Sequence, residues 1–163
     1  MTLNLLYKGP LLATNNREKR LVNKQEIRRS IHGQLRYLWK NPPLDLHYIS
    51  ARGKTFKVGD FTFQPTISEL LGMTCELDIK LLTRGKMGSL IRDADLDNRL
   101  KTIFDALQLP QHLHELPIND KPSTNENPFY VLLENDAQIT NVCIRSEPLL
   151  VPPAEDEKKL IFI

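Results

Sequence analysis

Residues 91–107 read IRDADLDNRLKTIFDAL. The first half is a run of carboxylates and the second half is a helix. Leu100, Ile103, Phe104 and Leu107 recur at i, i+3, i+4 and i+7, which gathers apolar side chains on one face, and Leu109-Pro110 ends the pattern. Ahead of it, Asp93, Asp95 and Asp97 alternate. Two carboxylates about 5 Å apart at an effective dielectric near 20 repel by roughly 3 kcal/mol. A solvated turn relieves that by pointing them apart; a metal site uses it.

Working outward, a second helix is predicted over about 22–40, where Ile27, Ile31, Leu35 and Leu38 form one apolar stripe with Lys24, Arg28 and Arg29 off it. Asn41-Pro42-Pro43 stops it, because proline lacks the amide donor and restricts the residue before it. Residues 54–65 read as a hairpin turning at Gly59-Asp60, and 74–85 as a strand in which Cys75, Leu77 and Ile79 alternate with Glu76, Asp78 and Lys80. The stretch 66–73 fits a short helix or a connector equally. Residues 108–128 are proline-rich and polar, a long loop expected to be mobile at 121–128. An apolar run, an acidic kink at 134–136 and a second strand follow, then a loop and a terminal strand at 158–163. The order is roughly β-α-β-β-α-β-β. It implies an α+β fold, a small mixed β-sheet with two main helices packed against it. At 163 residues the chain is expected to be a single domain over 1–163.

Apolar content of 40% and charged content of 26% are ordinary for a folded soluble protein. Net charge is only +2, so distribution matters more than total. Between Arg17 and Lys40 eight basic residues face two acidic ones, while acids gather at 93–97 and 155–157. A basic arm beside an acidic cluster suits a protein that attracts a polyanion and also holds cations. Cys75 and Cys143 lie in apolar runs and read as buried free thiols of a reducing compartment. The amino-terminal stretch is too short and polar for a signal peptide, and no run approaches a membrane span. A cytoplasmic protein is expected.

The aspartates allow several readings. Acids near a helix N-terminus complement its dipole and cap free amides, which accounts for one of them but not for three. The segment 93–98 imitates a calcium loop, then fails: its sixth position is Asn98 rather than glycine and its twelfth is Phe104 rather than glutamate. A magnesium-dependent phosphodiester site needs carboxylate and water oxygens near octahedral geometry and draws an acid from a distant strand as well. Glu134, Asn135 and Asp136 interrupt an apolar run where one would lie. Lys101, four residues after Asp97, projects from the same helix face and fits either a phosphate contact or a pair with Asp97. Fortuitous surface polarity is the remaining reading.

On these residues the chain resembles the RusA family of Holliday-junction resolvases. The resemblance rests on Asp95-Leu96-Asp97-Asn98 opening a helix, Lys101 one turn on, Asp105-Ala106-Leu107 at the helix end and Asn135-Asp136-Ala137-Gln138-Ile139 on a later strand. A leading strand and Asn15-Asn16-Arg17 before the first helix extend it over most of the chain. It implies a small homodimeric nuclease that cuts four-way DNA junctions with Mg²⁺ or Mn²⁺. Asp95, Asp97 and Asp136 would then be the metal-binding acids, Lys101 would meet the phosphate or the leaving group, and Asn98 would orient the helix start or a ligand. Asn135 stands where the family has a second acid, with Glu134 beside it. The segment before Asp136 and the hairpin at 56–64 are enlarged. A nucleic-acid-binding module that kept the scaffold and lost the chemistry is the alternative, and a nuclease for other branched DNA a further one.

Arg17, Lys19, Arg20, Lys24 and Arg28 are the expected DNA contacts, gaining affinity by counterion release; a solvated helix face is the competing reading. His112 and His114 read as surface residues, His32 as structural and Trp39 as core, while Tyr7 fits stacking or packing.

Overall fold

The computed structural model describes residues 2–12, 14–40, 54–83, 96–149 and 160–162. The elements are β1 (Tyr7–Gly9), α1 (Arg17–Lys40), β2 (Phe56–Val58), β3 (Phe61–Ile67), β4 (Cys75–Thr83), α2 (Leu96–Leu107), β5 (Phe129–Leu133), β6 (Ile139–Pro148) and β7 (Leu160–Phe162). The chain is α+β, with three strands rather than two between its helices. No helix among the described residues is long and apolar enough to cross a membrane.

Helix α1 begins five residues earlier than its apolar stripe implies. The cause is Asn16, whose Oδ1 accepts from the Lys19 amide at 3.0 Å and so satisfies a donor that the first turn leaves free. Ile27, Ile31 and Leu35 are buried, and Leu38 packs half-buried at the edge of the same cluster. Two polar side chains on α1 hold the leading segment. Gln34 exchanges hydrogen bonds with both backbone groups of Leu6, at 2.9 and 2.7 Å, as a neighbouring strand would. Asn23 donates to the Pro10 carbonyl and accepts from the Leu12 amide. Tyr7 is buried, its hydroxyl donating to Pro10 O, so it packs rather than stacks, and burial beside Glu26 pushes it up to about 12.

The strands form two sheets where one was expected: a four-stranded sheet in the order β1-β7-β4-β6 and a three-stranded sheet in the order β2-β3-β5. Their pairing explains the division. β3 lies parallel to β5, and β4 lies parallel to β6. Two runs of chain, 61–83 and 129–148, therefore travel side by side in one direction, and both break at the same level. The first breaks at a 3₁₀ turn, Glu69–Leu71, the second at a 3₁₀ turn, Asp136–Gln138. Gly72, at φ 61°, ends the first turn in the left-handed conformation that glycine adopts without steric cost. The hairpin β2–β3 turns at Gly59-Asp60, again with positive φ at the glycine.

The main core joins Ile27, Ile31 and Leu35 of α1 to Ile79 and Leu81 of β4, Ile103, Ala106 and Leu107 of α2, and Leu132 and Leu133 of β5. A second cluster gathers Phe61, Phe63, Phe129 and Val131 of the three-stranded sheet with Leu109 and Leu116. Trp39 packs against the main core as expected, its indole donating to Thr66 Oγ1 at 3.2 Å.

Three expectations change. Cys143 is exposed and Cys75 half-buried, because β6 turns Cys143 toward the polar outer face of an edge strand; both thiols are free. Residues 120–126 are tied down onto α1: Arg29 pairs with Asp120 at 2.8 Å and Glu126 at 2.9 Å, and Arg36 donates to Asn125 Oδ1. Arg28, expected off the apolar stripe, is 2% exposed.

Candidate active site

Helix α2 and the bend between β5 and β6 carry the sequence-predicted acids. Asp93 and Asp95 lie outside the described residues. Asp97 sits in the first turn of α2, exposed, where a carboxylate complements the helix dipole. Asn98 is exposed, its carbonyl accepting from Thr102 Oγ1 at 2.9 Å. Lys101 is exposed one turn on. The ion pairs among the described residues join Lys24 to Asp105, Arg29 to Asp120 and Glu126, and Arg145 to Asp78. Asp97 and Lys101 are in none of them.

Asp105-Ala106-Leu107 serves the packing of the helices. Asp105 pairs with Lys24, its carbonyl accepts from Arg28 Nη2 at 2.6 Å, and Ala106 and Leu107 are buried. Arg28 also donates to Gln25 Oε1, and burial pulls its guanidinium down to about 10 against the pull of Glu115 and Asp105. A residue so enclosed cannot reach a DNA phosphate, which removes Arg28 from the expected contacts, and Lys24 is occupied by Asp105. Arg17 and Lys19 remain exposed and Arg20 half-buried. Arg17 also donates to the His114 carbonyl at 3.2 Å.

The bend at 134–138 is held from three directions. From within, Gln138, 4% exposed, accepts from the amides of Glu134 at 2.9 Å and Asn135 at 3.1 Å. Asn135 Oδ1 accepts from the Ala137 amide at 2.8 Å, and with Gln138 it forms a reciprocal cap of the 3₁₀ turn. From the first bend, Glu134 Oε2 accepts from Ser68 Oγ at 3.0 Å and the Glu69 amide at 2.9 Å, Asn135 Nδ2 donates to Glu69, and Gln138 Nε2 donates to Met73 O. From the end of α2, the Leu109 amide donates to Leu133 O at 2.9 Å and Gln108 Oε1 accepts from the Asp136 amide at 3.1 Å. Glu134 and Asn135 thus close the bend. Asp136 is exposed, and its carboxylate has no hydrogen-bond or ion-pair partner among the described residues.

Asp97 and Asp136 are anchored to opposite ends of α2, one in its first turn and the other by the residue after its last. Residues 97 and 108 are about 16 Å apart along the axis at 1.5 Å per residue. Among the described residues no three His, Cys, Asp or Glu side chains converge as a metal-holding group. Asp97 and Asp136 are nonetheless exposed oxygen donors of the hard type that Mg²⁺ takes. His112 and His114 are exposed, their rings stacked at 5.2 Å.

Sequence reasoning missed Gln108 and the role of Gln138. The spacing Asn135-x-x-Gln138 is a capping pattern and was legible; nothing in the sequence marks Gln108 as reaching a residue 28 positions away. No protein-family model, no curated protein and no solved structure matches the chain.

Proposed function

We propose that the chain is a metal-dependent endonuclease of the RusA kind that hydrolyses phosphodiesters at four-way DNA junctions in the cytoplasm, as a homodimer with one site per subunit. One observation carries the reading. Asp97, Lys101 and Asp136 project to solvent without side-chain partners among the described residues, while the acids and bases around them lock the fold. Structural duty explains Glu134, Asn135 and Asp105; it leaves Lys101 and Asp136 unexplained and gives Asp97 only a place at the positive end of the helix dipole.

In this reading Asp95, Asp97 and Asp136 would supply the oxygen ligands of Mg²⁺ or Mn²⁺, and Asp136, held at the far end of α2, would have to come within reach of the other two for one ion to bind all three. When bound, the ion supplies polarisation of the phosphoryl oxygens and a water acidic enough to attack at neutral pH. Lys101, one turn from Asp97 on the same face, neutralises charge on the scissile phosphate. Asn98 orients the start of the helix. Arg17, Lys19 and Arg20 at the exposed start of α1 attract the junction through counterion release.

A second reading, a junction-binding protein without cleavage, is favoured by one feature. Glu134 and Asn135 are committed to the bend, so neither adds a second acid next to Asp136. A synthetic four-way junction with Mg²⁺ or Mn²⁺ separates the two. Cleavage by the wild type that Asp97→Asn or Asp136→Asn abolishes, with junction binding retained, supports the nuclease. Binding without cleavage at any metal concentration supports the second reading. Asp97→Asn that cuts at the wild-type rate removes Asp97 from the ion's ligands. Lys101→Ala is expected to slow cleavage more than it weakens binding.

A further inference from the structure

We propose that the free edge of β6 pairs with the same edge of a second copy of this chain, antiparallel about a two-fold axis at Cys143. The proposal gives the homodimer of the nuclease reading a surface and does not depend on that reading. β6 runs ten residues, Ile139–Pro148, and pairs with β4 along one side. Along its other side no strand lies among the described residues, so alternate backbone amides and carbonyls face outward there. The devices that guard such an edge in other proteins are weak here. Pro148 comes only at its end, the register irregularity falls at its start between Ile139 and Asn141, and Arg145 is bound to Asp78 of β4. Val142 is 38% exposed, and Cys143 is exposed beside it.

The edge is complementary to itself. A two-fold axis normal to the sheet keeps every residue on its own face, and at Cys143 it sets Val142 opposite the partner's Ile144 on both sides of the axis. Ile144 is half-buried and shares the apolar face with Val142, beside Ile79 and Leu77 of β4, so these two pairs carry the apolar layer across the seam. On the polar face, β4 places Glu76 beside Asn141 and Lys80 beside Arg145. The same axis lays Asn141 against the partner's Arg145. Each row across the joined sheet then runs from an acid to two bases, and no like charges meet at the seam. Neighbouring axes fit less well: one at Arg145 sets arginine on arginine, and one at Ile144 leaves Val142 opposite a serine.

The test uses the full chain. Sedimentation equilibrium under reductant is expected to show monomer and dimer exchanging with a dissociation constant of about 10 µM, the scale of a short interface. Hydrogen exchange at low and high protein concentration should show amides within 141–145 slowed by dimerisation. Diamide oxidation should link two chains, because opposed Cβ atoms stand about 4.5–5.5 Å apart, whereas a slip of two residues puts the Cα atoms beyond about 7 Å. Cys143→Ser should prevent the link and keep the dimer. Val142→Lys, a charge on the apolar side of the seam, should weaken the dimer at least about tenfold and slow the cross-link, with urea unfolding of the monomer unchanged. The exchange measurement needs no variant, so it decides the matter even where a variant unfolds. A chain that stays monomeric up to about 1 mM, or a dimer whose 141–145 amides exchange as in the monomer, overturns the proposal. Slowed amides without the Cys143 link overturn the axis at Cys143. Junction cleavage by a monomer overturns the pairing and leaves the nuclease reading standing; a dimer paired at β6 that cuts no junction does the reverse.

Discussion

Gln138→Ala is expected to destabilise the protein by about 3 kcal/mol, at roughly 1 kcal/mol for each of three lost hydrogen bonds. The side chain is 4% exposed. Its Oε1 accepts from the amides of Glu134 and Asn135 at 2.9 and 3.1 Å, and its Nε2 donates to Met73 O at 3.3 Å. Alanine leaves two amides and a carbonyl facing a space where the two bends meet. Urea unfolding should show the loss as a lower midpoint at unchanged slope. For a chain of this size, thermal unfolding should move down by about 6–12 °C. Gln138→Met decides the cause: it fills the volume and makes none of the three bonds, so it should be nearly as unstable as alanine. A loss under about 1 kcal/mol in Gln138→Ala, or recovery of most of it by methionine, would refute the hydrogen-bond account.

Two further outcomes are expected. Gly59 has φ 60°, and a Cβ there would stand 2.7 Å from Leu113 Cδ1, so Gly59→Ala should cost about 1–2 kcal/mol in urea unfolding; an unchanged midpoint would show that the turn relaxes freely. His32 is buried, its Nδ1 accepting from the Tyr130 amide at 2.9 Å while Nε2–H donates to Asn125 O at 3.2 Å. The Nδ1 bond needs the neutral ring, whereas the Nε2–H bond survives protonation; burial lowers the pKa from the ordinary value of 6.5, against the pull of the Asn125 carbonyl and Glu126. The unfolded chain therefore takes up this proton first as pH falls. The contribution of His32 is complete above 6.5 and is lost as pH drops below it through the folded-state value. Stability of the wild type minus that of His32→Gln, followed by urea unfolding between pH 5 and pH 8, should shrink on acidification; a difference that stays constant would place the titration elsewhere.

Periodicity located α2 and the stripe of α1, since an apolar face is written at fixed spacing along one segment. The hairpin at Gly59-Asp60 and the kink at 134–136 were legible for a similar reason: turn residues interrupt a pattern locally. Helix α1 began before its stripe, because Asn16 rather than any apolar residue sets that end. The burial of Arg28 and the exposure of Cys143 were not legible. Arg28 is enclosed because α2 presents the Asp105 carbonyl to it, and Cys143 is bare because β6 is a sheet edge.

The amino-acid order by itself determined the α+β class, both principal helices and the identity of the acids worth testing, because each depends on neighbours a few residues apart. Only the tertiary structure decided how those acids divide. Side chains distant in sequence claim Glu134, Asn135 and Asp105 for bends and helix contacts, and leave Asp97, Lys101 and Asp136 facing water. A polar group's role is fixed by which partners reach it, and here those partners come from 65 to 81 positions away.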